Sequence, residues 1–210
     1  MGLKSLLSEP LIYLAVQHLL GADRLRRHCI DRIARPRDGE RVLDVGCGPG
    51  YVLRHLPRVT YVGFDTNARH IAYARKVHGS AGTFHCGPFT HAHATTLGPF
   101  DLILLFGILH HLDDTDARRL MHALSLALAR ERGRIVTIDP CFTDDQARIN
   151  RFVARRDRGR FVRDAAGYDA LVRPHFAAVS AVVLTNVCRI PSTELVMTIA
   201  APRAGAACGT

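Results

Sequence analysis

Residues 42–50 read VLDVGCGPG, an apolar run that breaks into three glycines, Gly46, Gly48 and Gly50, spaced two apart. Arg41–Val45 is short and rich in Val and Leu, which predicts a buried strand. The chain then turns into a predicted helix over Tyr51–Leu56. Glycines at such a turn permit positive φ and let a ligand approach the backbone with no side chain between. A helix start beyond them adds free N–H groups and a positive dipole end. The spacing is not that of a dinucleotide loop, since G-x-G-x-x-G would need glycine where Tyr51 stands. Asp44, at the strand end, would also repel phosphates. The loop therefore predicts a ligand that carries a cation.

Outward from this loop, apolar runs and helical stretches alternate. Tyr61–Asp65 (YVGFD), Phe100–Phe106 and Arg134–Ile138 read as further strands, bounded by Gly, Pro or Asp. Ala68–His78 reads as a helix capped by Asn67 and stopped by Gly79. Another helix starts at a cap on Asp114 or Thr115, carries Leu120, Leu124 and Leu128 on one face, and ends at Gly133. Strands that alternate with helices and are apolar on both faces form a mostly parallel sheet with helices on both sides. Ala178–Leu184 and Thr193–Ala200 follow without a long helix between them and predict an antiparallel hairpin at the sheet edge. Ahead of the loop, Leu3, Leu6, Leu7, Leu11/Ile12 and Leu14 recur at helical spacing around Pro10, and Ala22–Ala34 predicts a second helix with its arginines outward.

Composition narrows the function classes. The chain has 210 residues with 28 Lys+Arg against 19 Asp+Glu, a net charge of +9, and 48% hydrophobic content. That is one domain with a real core, not a disordered chain. The six cysteines form no C-x-x-C pair, which excludes common zinc-ribbon spacings and predicts reduced thiols in a cytoplasmic protein. No apolar run is long enough to span a bilayer, and Glu9, Gln17 and His18 interrupt the one stretch, Pro10–Gly21, that looks like a signal core. His85, Cys86, His91 and His93 do not match a metal-ligand spacing, so solvated histidines and no metal are expected.

The second acid agrees with a nucleoside ligand. Asp65 closes the YVGFD strand, where a carboxylate can hold both ribose hydroxyls; it can equally cap the next helix. With VLDVGCGPG and YVGFD, the segments FDLILLFGILHHL and ERGRIVTID fall in an order and spacing that resembles class I S-adenosylmethionine-dependent methyltransferases of the small-molecule type. The likeness is strongest over residues 40–140. It implies an α/β, Rossmann-like, seven-stranded and mostly parallel sheet of order 3-2-1-4-5-7-6, with strand 7 antiparallel and helices on both faces. It implies S-adenosylmethionine as cofactor, with Asp44, Gly46, Cys47, Gly48 and Gly50 around its methionine part and Asp65, beside Thr66, at the ribose. Phe106 and Gly107 would run beneath the transferred methyl. Many relatives carry an acid near the adenine amine after the third strand. This chain has Gly87-Pro88 there, so backbone groups near Cys86, Gly87 and Phe89 are expected to substitute.

Methyl transfer from a sulfonium is an in-line displacement that needs alignment, exclusion of water and sometimes removal of a proton. The groups placed for it lie at the ends of strands four and five, GILHHLDD and IDPC. His110 and His111 titrate nearest neutral pH and are the candidate proton acceptors, or they shape the cofactor pocket. Asp139 could orient an amine, a hydroxyl or a histidine, or act as a cap. The [DN]-P-P-[FY] slot of amino-methylating DNA enzymes is absent, and Pro140-Cys141 lies after the wrong strand for a cytosine-attacking thiolate. No nucleic-acid partner is expected.

The single domain then divides into an N-terminal helical cap (1–38), the cofactor core (40–140), a substrate insertion (141–174), C-terminal strands (175–201) and a flexible tail (202–210). The insertion holds RFVARRDRGRFVR, six arginines against one aspartate. On a helix Arg151, Arg155 and Arg158 share a face, and Gly159 breaks it, leaving Arg160 and Arg163 either to meet an acidic or carrier-bound small substrate or to belong to a solvated basic face. Tyr13, Gln17 and Tyr168 are candidate pocket residues, and Tyr13 and Tyr168 can equally pack in the core. The expected activity is methyl transfer to an O, N or C atom of a biosynthetic metabolite by a monomer or homodimer. The alternatives are a protein that keeps the cofactor as a scaffold for cyclisation or isomerisation, and one that binds RNA or a partner through the arginine ridge.

Overall fold

The computed structural model describes residues 9–157 and 159–202. The expected helical register of Leu3, Leu6 and Leu7, the tail beyond 202 and the ridge residue Arg158 lie outside that range.

The first layer is helical. Pro10 opens helix α1 (Pro10–Leu20), where its missing N–H costs nothing. Gly21, at φ +80°, turns the chain into α2 (Ala22–Cys29), which continues as a π-helical turn over Ile30–Ala34. Leu25, Cys29, Ile30 and Ala34 bury one face of this unit, while Arg24, Arg27 and Arg32 are exposed.

Strands then alternate with helices as the apolar pattern requires. β1 (Arg41–Val45), β2 (Thr60–Asp65), β3 (Thr83–Cys86), β4 (Leu102–Phe106) and β5 (Arg134–Phe142) pair in parallel. α3 (Ala68–His78) joins β2 to β3, α4 (His91–Leu97) joins β3 to β4, and α5 (Asp114–Ala127) joins β4 to β5. Asn67 caps α3 as predicted, its Oδ1 accepting from the Arg69 and His70 N–H groups. α5 starts one residue early, because the Asp113 carboxylate accepts the Asp116 N–H at 2.8 Å.

Helix α6 (Arg148–Arg155), the two-residue β6 (Arg163–Asp164) and α7 (Ala165–Val172) follow β5. The hairpin of β7 (Phe176–Thr185) and β8 (Thr193–Pro202) completes the sheet. The order is β3-β2-β1-β4-β5-β8-β7, with β6 added beside the end of β5. β8 runs opposite to the other strands, antiparallel to both β5 and β7. With β6 set aside this is the predicted seven-stranded order.

Two features depart from expectation. The helix after the glycine loop is a 3-10 turn, Tyr51–His55, too short to carry a strong dipole. In the insertion, α6 ends at Arg155, before Gly159 is reached, and the Arg156 N–H bonds back to Phe152 and Val153 carbonyls.

Arg134 ties the helical cap to the sheet. Its guanidinium bonds both Glu40 oxygens, at 2.9 and 3.0 Å, and the carbonyls of Ala34 and Arg35. Arg134→Ala is expected to lower unfolding free energy by about 2 kcal/mol, because the half-buried Glu40 carboxylate loses its partner. Urea denaturation followed by circular dichroism measures it.

Candidate active site

The carboxyl ends of the parallel strands open into a cavity of about 1050 Å³. Of the residues singled out in the sequence, Gly46, Gly48, Asp65 and Thr66 line it from β1 and β2, and Gly87 and Phe89 from the β3 end. Phe106, Gly107 and His111 line it from the β4 end, and Tyr13 reaches it from α1.

Backbone geometry explains the glycines. Gly46 has φ +78° and Gly48 φ +55°. A Cβ on Gly46 would lie 2.0 Å from Ile108 Cδ1, whereas one on Gly48 would have only the Tyr13 ring at 3.6 Å and His70 at 3.9 Å. Gly50 serves packing instead: a Cβ there would sit 2.8 Å from the His78 ring. The loop's own amides are spent within the fold. The N–H groups of Gly46 and Cys47 bond to the Phe64 carbonyl, that of Gly50 to Cys47 O, and that of Gly48 to Asp65 Oδ2 at 2.8 Å. Its glycines therefore provide close approach and not donors.

Asp65 holds the site together. Oδ2 takes the Gly48 N–H and Oδ1 takes the Asn67 N–H at 2.7 Å, so one carboxylate fixes both the glycine loop and the start of α3. Each oxygen keeps a further lone pair for a ligand. Asp65 does not itself cap α3; it braces the cap residue Asn67 and leaves lone pairs for a ligand.

Several predicted residues lie elsewhere. Asp44 is buried beneath the loop and accepts the Tyr61 hydroxyl at 2.7 Å; burial pushes it up to about 6. Cys47 points into the core, its Sγ filling the space that Gly63 leaves free. Cys86 and Gln17 are outside the cavity wall. Tyr168 is a core residue with no exposure, and its hydroxyl donates to the Pro140 carbonyl. Arg163 is occupied internally by the carbonyls of Leu109, Leu112 and Phe161 and by Asp114, and exposed Arg160 is not on the wall. The basic rim expected around the pocket is thus distributed over the surface or spent on the fold.

The two histidines part company. His111 faces the cavity, while His110 is buried against Asp139. Of the histidines expected to be solvated, His91 is exposed, whereas His85 and His93 are half-buried in packing contacts. His85 stacks on Phe64 at 4.6 Å, and His93 accepts the Thr90 N–H in the capping box of α4.

Sequence reasoning missed Asn67 as a lining residue, although it found the cap. It also missed His70, whose ring is 5.0 Å from that of Tyr13. His91, Asp116, Arg119 and His122 extend the cavity between α4 and α5. His91 opens the unread helix α4, while Asp116, Arg119 and His122 lie on α5, whose polar positions carried no signal of a cavity.

Comparison with known proteins agrees with this architecture. Residues 20–182 match the family described as "Methyltransferase domain". An 87-residue stretch is 32% identical to a ubiquinone biosynthesis O-methyltransferase of Brucella melitensis, covering 39% of this chain and 35% of that protein. The fold superposes on the pyocyanin biosynthetic protein PhzM with a TM-score of 0.69 and 20% identity, over 90% of this chain and 58% of that one. Mitomycin 7-O-methyltransferase gives 0.65 and 19%, over 93% and 60%. The chain therefore spans about a third of the curated relative and under two thirds of these two structures. It belongs to the class I S-adenosylmethionine-dependent methyltransferases.

The residues present fit that cofactor. The two glycines whose side chains would fill the wall, a strand-end carboxylate with spare lone pairs and an aromatic floor at Phe106 all converge on one cavity. Asp65→Ala is expected to weaken S-adenosylhomocysteine binding at least about tenfold, the scale of a lost charged hydrogen-bond pair of about 1.5–3 kcal/mol. Isothermal titration calorimetry reads this directly, and unchanged affinity would remove Asp65 from the ligand site.

Proposed function

We propose that the chain transfers a methyl group from S-adenosylmethionine to a hydroxyl oxygen of a small biosynthetic metabolite. The observation that carries this reading is the single cavity in which the Gly46–Gly48 turn, Asp65, Phe106–Gly107 and His111 meet. The identity to an O-methyltransferase over part of the chain supports oxygen as the acceptor.

When bound, the cofactor supplies a methyl group activated on a sulfonium. The chain's own residues do the rest. Asp65 holds the ribose hydroxyls, and Gly46 and Gly48 let the methionine part lie against backbone. Phe64, Phe89, Phe106 and Ile108 give the cavity apolar walls that exclude competing water. His111 is the one of the paired histidines on the wall, so it is placed to accept the acceptor's hydroxyl proton as the oxygen attacks. We assign no proton transfer to His110, because both its ring nitrogens face carboxylates.

The acceptor need not be anionic. Arg163 is satisfied within the fold, and Arg119, the arginine on the wall, sits 3.4 Å from Asp116. A neutral or weakly acidic hydroxyl compound suits this lining better than a phosphate or polyanion.

Incubation with methyl-labelled S-adenosylmethionine and a panel of small phenols and catechols should yield labelled methyl ethers. Product without label would support the scaffold role, and label on nitrogen or carbon would move the acceptor atom. In the same assay His111→Ala should lower turnover about a hundredfold, within the range of general-base catalysis, and leave S-adenosylhomocysteine affinity unchanged. Full turnover in that variant would leave proton removal to water or to the substrate.

A further inference from the structure

His110 is 5% exposed and makes polar contacts on both sides of its ring. Nδ1 lies 2.7 Å from Asp139 Oδ1 on β5, and Nε2 lies 3.2 Å from Asp157 Oδ1 in the segment after α6. With a carboxylate opposite each nitrogen, both nitrogens are placed to donate, which favours the imidazolium form. Burial alone would push the imidazole down. The hydrogen bonds and charges of Asp139 and Asp157 outweigh it and raise His110 to about 9. Burial raises Asp139 as well, and the hydrogen bonds and charge of His110 oppose that rise. Asp157 is more open to solvent; burial would raise it, but His110 and the Gly159 N–H hold it below the usual carboxylate range.

The backbone of the insertion follows these contacts. Gly159 rests on the ring so closely that a Cβ would lie 1.9 Å from His110 Cδ2. The Gly159 N–H donates to Asp157 Oδ1 at 2.7 Å, and the Phe161 N–H donates to the His110 carbonyl at 3.0 Å. Other charged or titratable groups surround the pair. Glu194 on β8, raised to about 8 by burial and by Asp139, lies in the same field. The His111 ring stands 4.1 Å from that of His110, and the Arg163 guanidinium grips the Leu109 and Leu112 carbonyls on either side of the histidine pair.

We propose that Asp157 is a positioning residue that clasps the insertion to the strand ends through His110 and thereby sets the place of His111 in the cavity. Asp157 does not line the cavity. It acts by keeping His110 charged and its ring fixed, and His111 is the next residue on the same 3-10 turn, Leu109–His111. The clasp stands on these contacts alone; only its service to catalysis rests on the methyl-transfer reading. Because the folded value of His110 is raised, the stability the clasp contributes is fully present below the ordinary imidazole value. It is lost as pH rises through about 9.

Nitrogen-15 NMR of the full chain, labelled at the histidine imidazoles and titrated from about pH 5 to about pH 10, tests this without any acceptor. In the unsubstituted protein one imidazole, assigned by its loss in His110→Gln, should stay protonated beyond about pH 8. Asp157→Asn should lower that titration by about one unit or more, equivalent to about a tenfold weaker hold on the proton, and shift the His111 signals. Asp157→Glu, which keeps the charge, should restore most of both. His110 titrating near the ordinary imidazole value in the unsubstituted protein would overturn the proposal, as would a titration or His111 signals that Asp157→Asn leaves unmoved. If the NMR shifts appear but no substrate is ever methylated, the clasp stands and the methyl-transfer reading fails.

Discussion

A single carboxylate sets the geometry of the ligand cavity. Asp65 ends β2 and takes one N–H from the glycine loop and another from the start of α3. Two connections that leave neighbouring parallel strands are thereby held at a fixed separation. Charge-assisted bonds of this kind are stronger than neutral ones, and here they replace the solvent that loop amides would otherwise need. With the loop pinned inward, Gly46 and Gly48 present bare backbone to the cavity. The site is built from close approach and one carboxylate, not from a helix dipole.

A second constraint acts at the other side of β4. His110 and His111 are adjacent, yet a 3-10 turn sends one ring inward to Asp139 and the other to the cavity. Buried charge is tolerable only when paired on every face, and the insertion supplies the second carboxylate through Asp157. The arginine-rich segment thus contributes an acid to the site, while Arg163 is used as a strut. Positive charge in this chain is largely a surface and framework property.

Legibility in the sequence followed the reach of each interaction. The β1 loop, the Asn67 cap, the order of strands and the edge hairpin were readable because they depend on local periodicity and turn chemistry. Family resemblance supplied the sheet order that periodicity cannot fix. Tyr168 and Arg163 were not decided by the sequence, because their residue types suit a pocket as well as a core or a strut, and only packing decides. Helix α4, seven residues of His, Ala, Thr and Leu, lacks an apolar stripe. The wall it forms with α5 was therefore invisible.

The sequence by itself determined an α/β methyltransferase-type fold, a glycine turn bounded by acids, and a histidine pair at the end of the fourth strand. Tertiary structure decided which of those acids and histidines meet a ligand. Asp44 and Asp65 both end neighbouring strands, but Tyr61 covers the first while the second faces the cavity. His110 is turned inward to Asp139 and Asp157, which long-range folding brings to it, while His111 lines the cavity. Local sequence fixes what a side chain can do. Partners distant in the chain set its burial and charge, and those decide what it does.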